Sequence, residues 1–250
     1  MLDVCCGSGR HLAGLSALGY SVTGVERDPA IAQAARAAAP AARVVEGDVN
    51  RLVELVAGPF GGVVCLWQSF GYGTPTENAA LLGAMAALLQ PDGRLVLDVY
   101  NRAFFETRTG TRTTERDGRE IREHTVLDGD RLTTRLDYGS GVEDVFSWQL
   151  FTPKELTELA GTTALTPVLA CTAFDEKILP SAEHARMQLV FARDVVDELA
   201  IQAGGRLRRP GGSVRLTVLH EEGGGRWGNH GFTRPIHAFW LNQQPASRSR

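Results

Sequence analysis

The sequence predicts an α/β protein built on a doubly wound, mostly parallel sheet. Strand and helix patterns alternate over the first hundred residues with short connections between them. The strand patterns are apolar throughout, which is typical of sheets that helices cover on both faces. A glycine-rich turn joins the first strand to the first helix. In such sheets ligands bind outside the carboxyl ends of the strands, so the residues that follow each strand are the candidates for a site.

The first β-α unit is short and well marked. Leu2–Val4 is predicted as the end of a buried strand, and Cys5–Gly9 forms the turn after it. Arg10–Leu18 is predicted as a helix because leucines recur on one of its faces. Gly19 stands where that helix should end.

Six further elements and one turn complete the predicted parallel region. They are a strand at Tyr20–Glu26, an Ala-rich helix that opens at Asp28-Pro29, strands at Ala42–Glu46 and Val63–Trp67, a helix at Thr76–Leu89, a turn at Gln90–Gly93 and a strand at Arg94–Tyr100.

A polar segment from about Arg112 to Phe151 interrupts this pattern. Its residues alternate as in half-buried strands, and Asp128–Asp130 carries the Asp-Gly signal of a hairpin turn. We therefore predict an antiparallel insert and expect it over the mouth of the site. After it, a helix should begin at Thr152-Pro153, followed by strands near Val168–Phe174 and Met187–Ala192 that close the sheet.

The last part of the chain, residues 194–250, is rich in glycine and arginine. Val214, Leu216 and Val218 alternate as in a strand, but the sequence offers no evident partner for it. We predict one domain over residues 1–193, with the insert at about 112–151, and an irregular, loosely attached tail after it.

Composition excludes several classes of function. A net charge of -3 over 250 residues argues against broad attraction to nucleic acid or to an anionic membrane. No apolar run approaches the roughly 20 residues that a membrane span needs, and we predict no signal peptide. The chain is expected in the cytoplasm, as a monomer or homodimer.

The four cysteines form no CxxC pair and have no histidine at zinc-finger spacing. We interpret them as small buried residues of a reducing cytosol and predict no bound metal. A redox role for the adjacent Cys5 and Cys6 is the alternative.

Three carboxyl-end positions point to a nucleotide-like ligand. Gly7 and Gly9 leave room for a ligand close to the backbone, where the next helix directs its amide groups. Glu26 ends the next predicted strand, and an acid there can accept hydrogen bonds from both hydroxyls of a ribose. Asp48 and Val49 follow the third strand, where a carboxylate and a backbone amide could meet an adenine ring. Each feature taken alone is also compatible with a structural turn or a solvated strand end.

Taken together, these motifs resemble those of class I S-adenosylmethionine-dependent methyltransferases. The resemblance lies in Asp3–His11, Val25-Glu26, Gly47–Val49 and Leu89–Leu95, in the family's order, and it spans about residues 2–193. It implies a seven-stranded sheet with an antiparallel last strand and S-adenosylmethionine as cofactor. It also implies that this cofactor is held by a set of residues in the turn and at the strand ends: Asp3, Cys5, Gly7, Gly9, Glu26, Arg27, Asp48, Val49, Trp67 and Gln68.

The segment Trp67–Tyr72 lies where the family's fourth motif meets the methyl group and the substrate. Its run Ser-Phe-Gly-Tyr resembles small-molecule methyltransferases, including those that act on amino groups of sugars or amino acids. We predict a small-molecule methyl acceptor, with Tyr72 and Asn101 on the substrate side. His11 is interpreted as a structural residue of the first helix, and His124 as a solvated residue of the insert.

Two departures from the family pattern are visible. Cys5 replaces the first glycine of the turn. The chain also begins almost at the first strand, where family members carry leading helices, so a truncated start or a lid from the insert or tail is expected.

Two alternative functions stay open. One is a non-catalytic or truncated protein of the same fold that binds the cofactor weakly. The other is a nicotinamide-binding oxidoreductase, which is disfavoured because Leu12 stands where the third glycine of a dinucleotide turn belongs.

Overall fold

The computed structural model describes residues 1–116, 119–193, 216–218 and 239–241. Its main sheet has seven strands in the order β3-β2-β1-β4-β5-β11-β10. Neighbours from β3 to β5 are parallel, whereas β11 runs antiparallel to both β5 and β10. The strands of this sheet are β1 (Leu2–Val4), β2 (Thr23–Glu26), β3 (Arg43–Glu46), β4 (Phe60–Cys65), β5 (Leu89–Tyr100), β10 (Leu165–Cys171) and β11 (Arg186–Arg193). The predicted fold class, including the antiparallel last strand, is confirmed.

Helices pack on both faces of this sheet, as the apolar strands predict. They are α1 (Arg10–Ala17), α2 (Pro29–Ala38), α3 (Leu52–Leu55), α4 (Pro75–Ala87), α5 (Arg102–Phe105) and α6 (Pro153–Gly161). On one face Leu82 and Met85 of α4 and Leu156 of α6 join a core with alternate residues of the central strands. On the other face Leu12 and Ala35 bring α1 and α2 together. Within the described part of the chain, α4 is the longest helix at 13 residues, and no helix is long and apolar enough to cross a membrane.

Side-chain caps explain where three of the helices begin. Asp28 accepts hydrogen bonds from two backbone N–H groups at the start of α2. Thr74 and Thr152 each form a reciprocal capping box with the glutamate three residues later, at the starts of α4 and α6. Such caps satisfy N–H groups that the first turn of a helix leaves without partners.

The insert is a separate four-stranded antiparallel sheet. Its strands, in order, are β6 (Gly110–Arg116), β7 (Arg119–Asp128), β8 (Arg131–Asp137) and β9 (Glu143–Gln149). The predicted hairpin is present, since Asp128 pairs with Arg131 and Gly129 adopts a φ of 60° between them. Side chains alternate between the two faces of this sheet, and the row of Leu132 and Trp148 is buried.

Several predicted bounds differ from the observed ones. The strand predicted at Tyr20–Glu26 begins only at Thr23, and the strand predicted to reach Trp67 ends at Cys65. The predicted turn at Gln90–Gly93 lies inside β5, as an irregularity in its pairing with β4.

Two three-residue strands are described within the predicted tail. Leu216–Val218 (β12) pairs antiparallel with Phe239–Leu241 (β13). The sequence offered no evident partner for the first of these strands, and the structure places its partner more than twenty residues further along the chain. The rest of the predicted tail lies outside the described residues.

Candidate active site

The turn after β1 combines three left-handed backbone conformations in five residues. Cys5, Gly7 and Gly9 have φ angles of 61°, 56° and 84°. This conformation costs an ordinary residue about 1–2 kcal/mol and costs glycine little. The turn therefore tolerates Cys5 only with strain, at the position where the family pattern has glycine.

The two glycines of this turn have different surroundings. A side chain at Gly7 would meet no atom within 4 Å, so the space in front of this residue is open. A side chain at Gly9 would lie 3.0 Å from the Cα atom of Ala35 and 3.1 Å from its Cβ atom. Close packing between α1 and α2 thus accounts for Gly9, whereas Gly7 borders free space at the carboxyl end of β1.

Glu26 connects the end of β2 to the glycine turn. Its side chain is nearly buried, and its two oxygens accept hydrogen bonds from the backbone N–H groups of Gly7 (3.1 Å) and Asp28 (3.0 Å). Each carboxylate oxygen can accept a further bond. Glu26 therefore lies beside the open space at Gly7 with acceptor capacity left on both oxygens, and Arg27 follows it as an exposed side chain.

The end of β3 lies next to the end of β2. Gly47 donates its N–H to the backbone oxygen of Glu26 at 3.0 Å. Asp48 caps a single 3-10 turn, Val49–Arg51, by accepting from Asn50 at 2.9 Å. The exposed Asp48 carboxylate and the partly buried Val49 thus follow Glu26 along the same edge of the sheet.

Asp3 is a buried carboxylate in the middle of β1. It is 1% exposed, and neither of its oxygens has a hydrogen-bond partner in the part of the chain that the structure describes. Burial raises its pKa to about 7, an effect that the positive charge of Arg10 opposes. A charged carboxylate in this position has no hydrogen bond to offset its loss of hydration. The site therefore favours a positively charged or hydrogen-bonding partner for Asp3.

A buried hub at Asp98 holds the segment after β4. Its carboxylate accepts hydrogen bonds from the backbone N–H of Trp67 (3.0 Å), the side-chain amide of Gln188 (2.8 Å) and the guanidinium of Arg186. Gln68 donates its backbone N–H to the backbone oxygen of Asp98 at 3.0 Å, and its side chain accepts from the N–H of Tyr100. Trp67 and Gln68 both have positive φ values, 61° and 62°, which these bonds hold in place.

Two arginines that the sequence analysis missed lie against Trp67. The guanidinium carbons of Arg10 and Arg186 are 4.4 Å and 4.6 Å from the centre of the Trp67 ring. Arg186 is neutralised by Asp98, whereas Arg10 has no ion-pair partner among the described residues. Arg10 could have been identified from the sequence, because it directly follows Gly9 of the glycine turn. Nothing local in the sequence distinguishes Arg186.

The two residues predicted on the substrate side have different environments. Tyr72 is 54% exposed, and its ring centre lies 5.4 Å from that of Trp148 in the insert. Burial raises the pKa of Tyr72; Cys5 adds to this rise and the positive charge of Arg27 opposes it, so the phenol lies near both residues.

Asn101 is 1% exposed, and both polar atoms of its side chain are hydrogen-bonded. Its side-chain oxygen caps α5 by accepting from Ala103 (3.2 Å), and its amide donates to the backbone oxygen of Ser181 (2.8 Å). These bonds favour a structural role, and the substrate-side role of Asn101 stays a prediction.

The remaining titratable candidates do not form a metal site. Among residues 1–116, 119–193, 216–218 and 239–241, no group of three or more His, Cys, Asp or Glu side chains could hold a metal ion. All four cysteines are free thiols, and three of them are buried. His124 is exposed, and its ring contacts the hydroxyl of Thr111 at 2.8 Å.

Comparison with known proteins agrees with this geometry. Residues 1–93 match the family model of a methyltransferase domain. A dTDP-3-amino-3,4,6-trideoxy-alpha-D-glucopyranose N,N-dimethyltransferase from Streptomyces venezuelae is 28% identical over 149 residues, which are 58% of this chain and 61% of that protein. The chain thus spans about three fifths of the length of this curated relative.

Solved structures with the same fold cover most of the chain. An S-adenosylmethionine-dependent methyltransferase from Clostridium acetobutylicum superposes with a TM-score of 0.69 at 12% identity, over 78% of this chain and 83% of that one. An S-adenosylmethionine-bound amino pentose methyltransferase from Micromonospora echinaspora gives 0.59 at 25% identity, over 77% and 82%. The strand order and the glycine turn of this chain are thus accompanied by a match of residues 1–93 to a methyltransferase-domain family and by a fold shared with solved methyltransferases.

Proposed function

We propose that this chain transfers a methyl group from S-adenosylmethionine to a nitrogen atom of a small, sugar-like molecule. The observation that carries the proposal is the contact between Glu26 and Gly7, which brings an acidic strand end to a turn with open space in front of it. The named activities of the Streptomyces and Micromonospora relatives support an amino-sugar acceptor. A hydroxyl acceptor is the alternative within the same reaction class.

The residues of the site fit the cofactor piece by piece. Free acceptor positions on Glu26 suit the two hydroxyls of a ribose, and the open space at Gly7 suits a ligand close to the backbone. The unpartnered carboxylate of Asp3 suits the ammonium group of the methionine part. Arg10, which has no ion-pair partner among the described residues, suits its carboxylate. Asp48 and Val49 would then lie at the adenine.

The protein has little chemistry to perform in this reaction. When bound, the cofactor supplies a methyl group activated by its sulfonium. An amine nucleophile forms the N–C bond as the C–S bond breaks, the bonding pair stays on sulfur, and the surplus proton of the nitrogen leaves to water. An unprotonated amine needs alignment rather than a strong base, and alignment alone is worth effective molarities of about 10⁵–10⁸ M. Trp67 and Gln68, held by Asp98 and Tyr100, supply a rigid wall for it.

Calorimetric titration of the purified chain with S-adenosylhomocysteine tests the cofactor, with NADH as control. We expect saturable micromolar binding of S-adenosylhomocysteine and none of NADH. Binding of NADH would overturn the proposal, and so would a folded sample that binds neither compound. A chain that binds S-adenosylhomocysteine but methylates no amino sugar or hydroxylated analogue from S-adenosylmethionine would support the non-catalytic alternative.

A further inference from the structure

Two of the four cysteines, Cys5 and Cys65, meet at the carboxyl ends of neighbouring strands. Cys65 is the last residue of β4, and Cys5 follows the last residue of β1. The two strands pair in parallel with Asp3 beside Val64, so Cys5 lies one residue beyond the position opposite Cys65. Neighbouring strands are about 4.7–4.9 Å apart, and disulfides join Cα atoms at about 4.4–6.8 Å. The backbone positions of this pair therefore suit a disulfide.

The side chains of the pair belong to the same apolar core. Cys65 is 0% exposed in the core that α4 covers, and Cys5 packs against this core. The two thiols are hydrogen-bonded to each other, and this bond, together with burial, holds the pKa of Cys65 well above its usual value. A hydrogen bond raises a pKa when the protonated group donates it, so the S–H of Cys65 is directed at the sulfur of Cys5.

Cys6, the neighbour of Cys5 in the sequence, lies on the opposite face of the sheet. Its side chain belongs to the core between α1 and α2, and its Sγ atom is 3.7 Å from the backbone oxygen of Gly7. Burial raises its pKa to about 12. The thiols of Cys5 and Cys6 thus lie in different cores, which argues against the alternative that these two adjacent residues form a redox pair.

Cys5 is the accessible member of the pair. Of the four cysteines, all in the described part of the chain, Cys5 alone is partly exposed. Cys65 and Cys171 are 0% exposed, and Cys6 is 5% exposed. Cys5 also lies two residues before Gly7, where the surroundings are open. An oxidant from solution therefore reaches Cys5 first, because access limits the oxidation of thiols.

We propose that Cys5 and Cys65 form a reversible disulfide when the chain meets a hydroperoxide. The sulfur of Cys5 attacks one oxygen of hydrogen peroxide, the O–O bond breaks, and the second oxygen leaves as water with the proton of Cys5. The sulfur of Cys65 then attacks the resulting sulfenic acid. The S–S bond forms as the S–O bond breaks, and the hydroxyl leaves as a second water with the proton of Cys65. The peroxide is reduced to two waters, and two thiols are oxidised to one disulfide.

Contact, rather than reactivity, favours the second step. Cys65 keeps its proton because its pKa is raised, and a protonated thiol is a slow nucleophile. Its sulfur nevertheless lies against the atom that it attacks, and such alignment accelerates a reaction between two groups. The resulting bond would join the glycine turn to the end of β4, directly before Trp67. This inference goes beyond the proposed function and does not depend on it.

Peptide mapping after treatment of the full chain with hydrogen peroxide tests the proposal. Remaining thiols are blocked with iodoacetamide before digestion. Trypsin places Cys5 and Cys6 on peptide 1–10 and Cys65 on peptide 52–94. We expect these two peptides to be joined, with a mass lower than their sum by two hydrogen atoms. The free thiols counted in denaturant should fall from four to two, and dithiothreitol should restore all four.

Three single variants assign the bond to its two sulfur atoms. Cys5→Ser and Cys65→Ala should abolish the cross-link, whereas Cys6→Ala, the matched control on the same peptide, should keep it. Thermal unfolding checks that each variant is folded, and the wild-type map stands without them. An internal bond within peptide 1–10 would overturn the proposal. A cross-link that survives in Cys5→Ser, or a sulfinic acid on Cys5 beside an unmodified Cys65, would overturn it as well.

The same reaction separates this inference from the proposed function. If S-adenosylhomocysteine lies against the glycine turn, a saturating concentration should cover Cys5 and slow formation of the disulfide severalfold. An unchanged rate would support the thiol pair and count against the proposed position of the cofactor. A chain that binds S-adenosylhomocysteine but forms no disulfide with peroxide would overturn this inference and leave the proposed function intact.

Discussion

Atom Oδ2 of Asp3 lies 3.8 Å from Nδ1 of His11. The Asp3 side chain is buried and that of His11 mostly so, and both carry polar atoms that lack hydrogen-bond partners among the described residues. Burial raises the pKa of Asp3 to about 7 and lowers the pKa of His11 to about 4. Between about pH 4 and 7 the pair therefore carries little charge. Burial thus shifts the ionisation ranges of these neighbours in β1 and α1 in opposite directions.

This pair predicts compensating effects of pH on stability. Between about pH 4 and 7 the folded state holds a proton on Asp3 that the unfolded chain has released, so this carboxyl makes the free energy of unfolding fall as pH rises. Between about pH 4 and 6.5 the unfolded chain binds a proton on His11 that the folded state rejects, so this imidazole makes it rise. The two contributions should largely cancel in the wild type.

Single variants separate the two contributions. Asp3→Asn should leave a protein whose stability rises with pH across this window, and His11→Asn one whose stability falls. Urea unfolding at several pH values between about 4 and 7 measures both slopes. Equal slopes in the two variants would contradict the assignment of these protons.

Glu26 should control cofactor affinity. Hydrogen bonds to a charged acceptor contribute about 1.5–3 kcal/mol each, so Glu26→Ala should weaken S-adenosylhomocysteine binding at least tenfold while the fold survives. Glu46→Ala is the matched control, since Glu46 pairs in register with Glu26 on the next strand and is exposed. Calorimetric titration measures the affinity of both variants for S-adenosylhomocysteine. Equal affinities of Glu26→Ala and Glu46→Ala would remove the ribose assignment.

Gly9 should matter for stability more than for ligand contact. An alanine there would adopt an unfavourable φ and press on Ala35, which we expect to cost about 2–4 kcal/mol in the free energy of unfolding. Gly7→Ala has the same backbone strain with open space around it, so it should cost about 1–2 kcal/mol. Chemical denaturation compares the two, and a larger loss in Gly7→Ala would refute the packing argument.

Removal of residues 201–250 should leave the core folded. All seven strands of the main sheet and all four strands of the insert lie between Leu2 and Arg193. We expect the shortened chain to keep one cooperative thermal transition. Its loss in a scanning calorimeter would show instead that the C-terminal segment belongs to the domain.

Sequence patterns were sufficient for the order of strands and helices because short-range periodicity and capping residues determine it. The helices predicted to open at Asp28 and Thr152 begin there with side-chain caps, and Gly129 forms the predicted hairpin. Glu26 was predicted at the end of β2 and lies there, beside Gly7. Local patterns therefore located the group of strand-end residues that we propose for the cofactor.

Contacts between distant residues were beyond such reasoning. Asp98 and Arg186 are 88 positions apart, and only the completed sheet brings β5 and β11 together.

In dinucleotide-binding turns a third glycine in the helix allows the helix to pack closely against the strand. In this chain the glycine that allows this close packing lies in the strand instead of the helix. A side chain at Gly24 of β2 would lie 2.7 Å from Leu12, so the strand provides the space that the helix does not.

Gln149 at the end of β9 donates its N–H to the backbone oxygen of Gly71, and this attachment limits how the insert can be exchanged among proteins of this fold. The last strand of a transplanted insert would have to meet a backbone oxygen at a position that tolerates no side chain. A chimera that exchanges only the insert would take Gln149 from one protein and Gly71 from another, so the donor and the acceptor of this hydrogen bond would no longer be matched. Segment 71–73 and strands β6 to β9 therefore form one exchangeable module, and designs that move them together have the better prospect of folding.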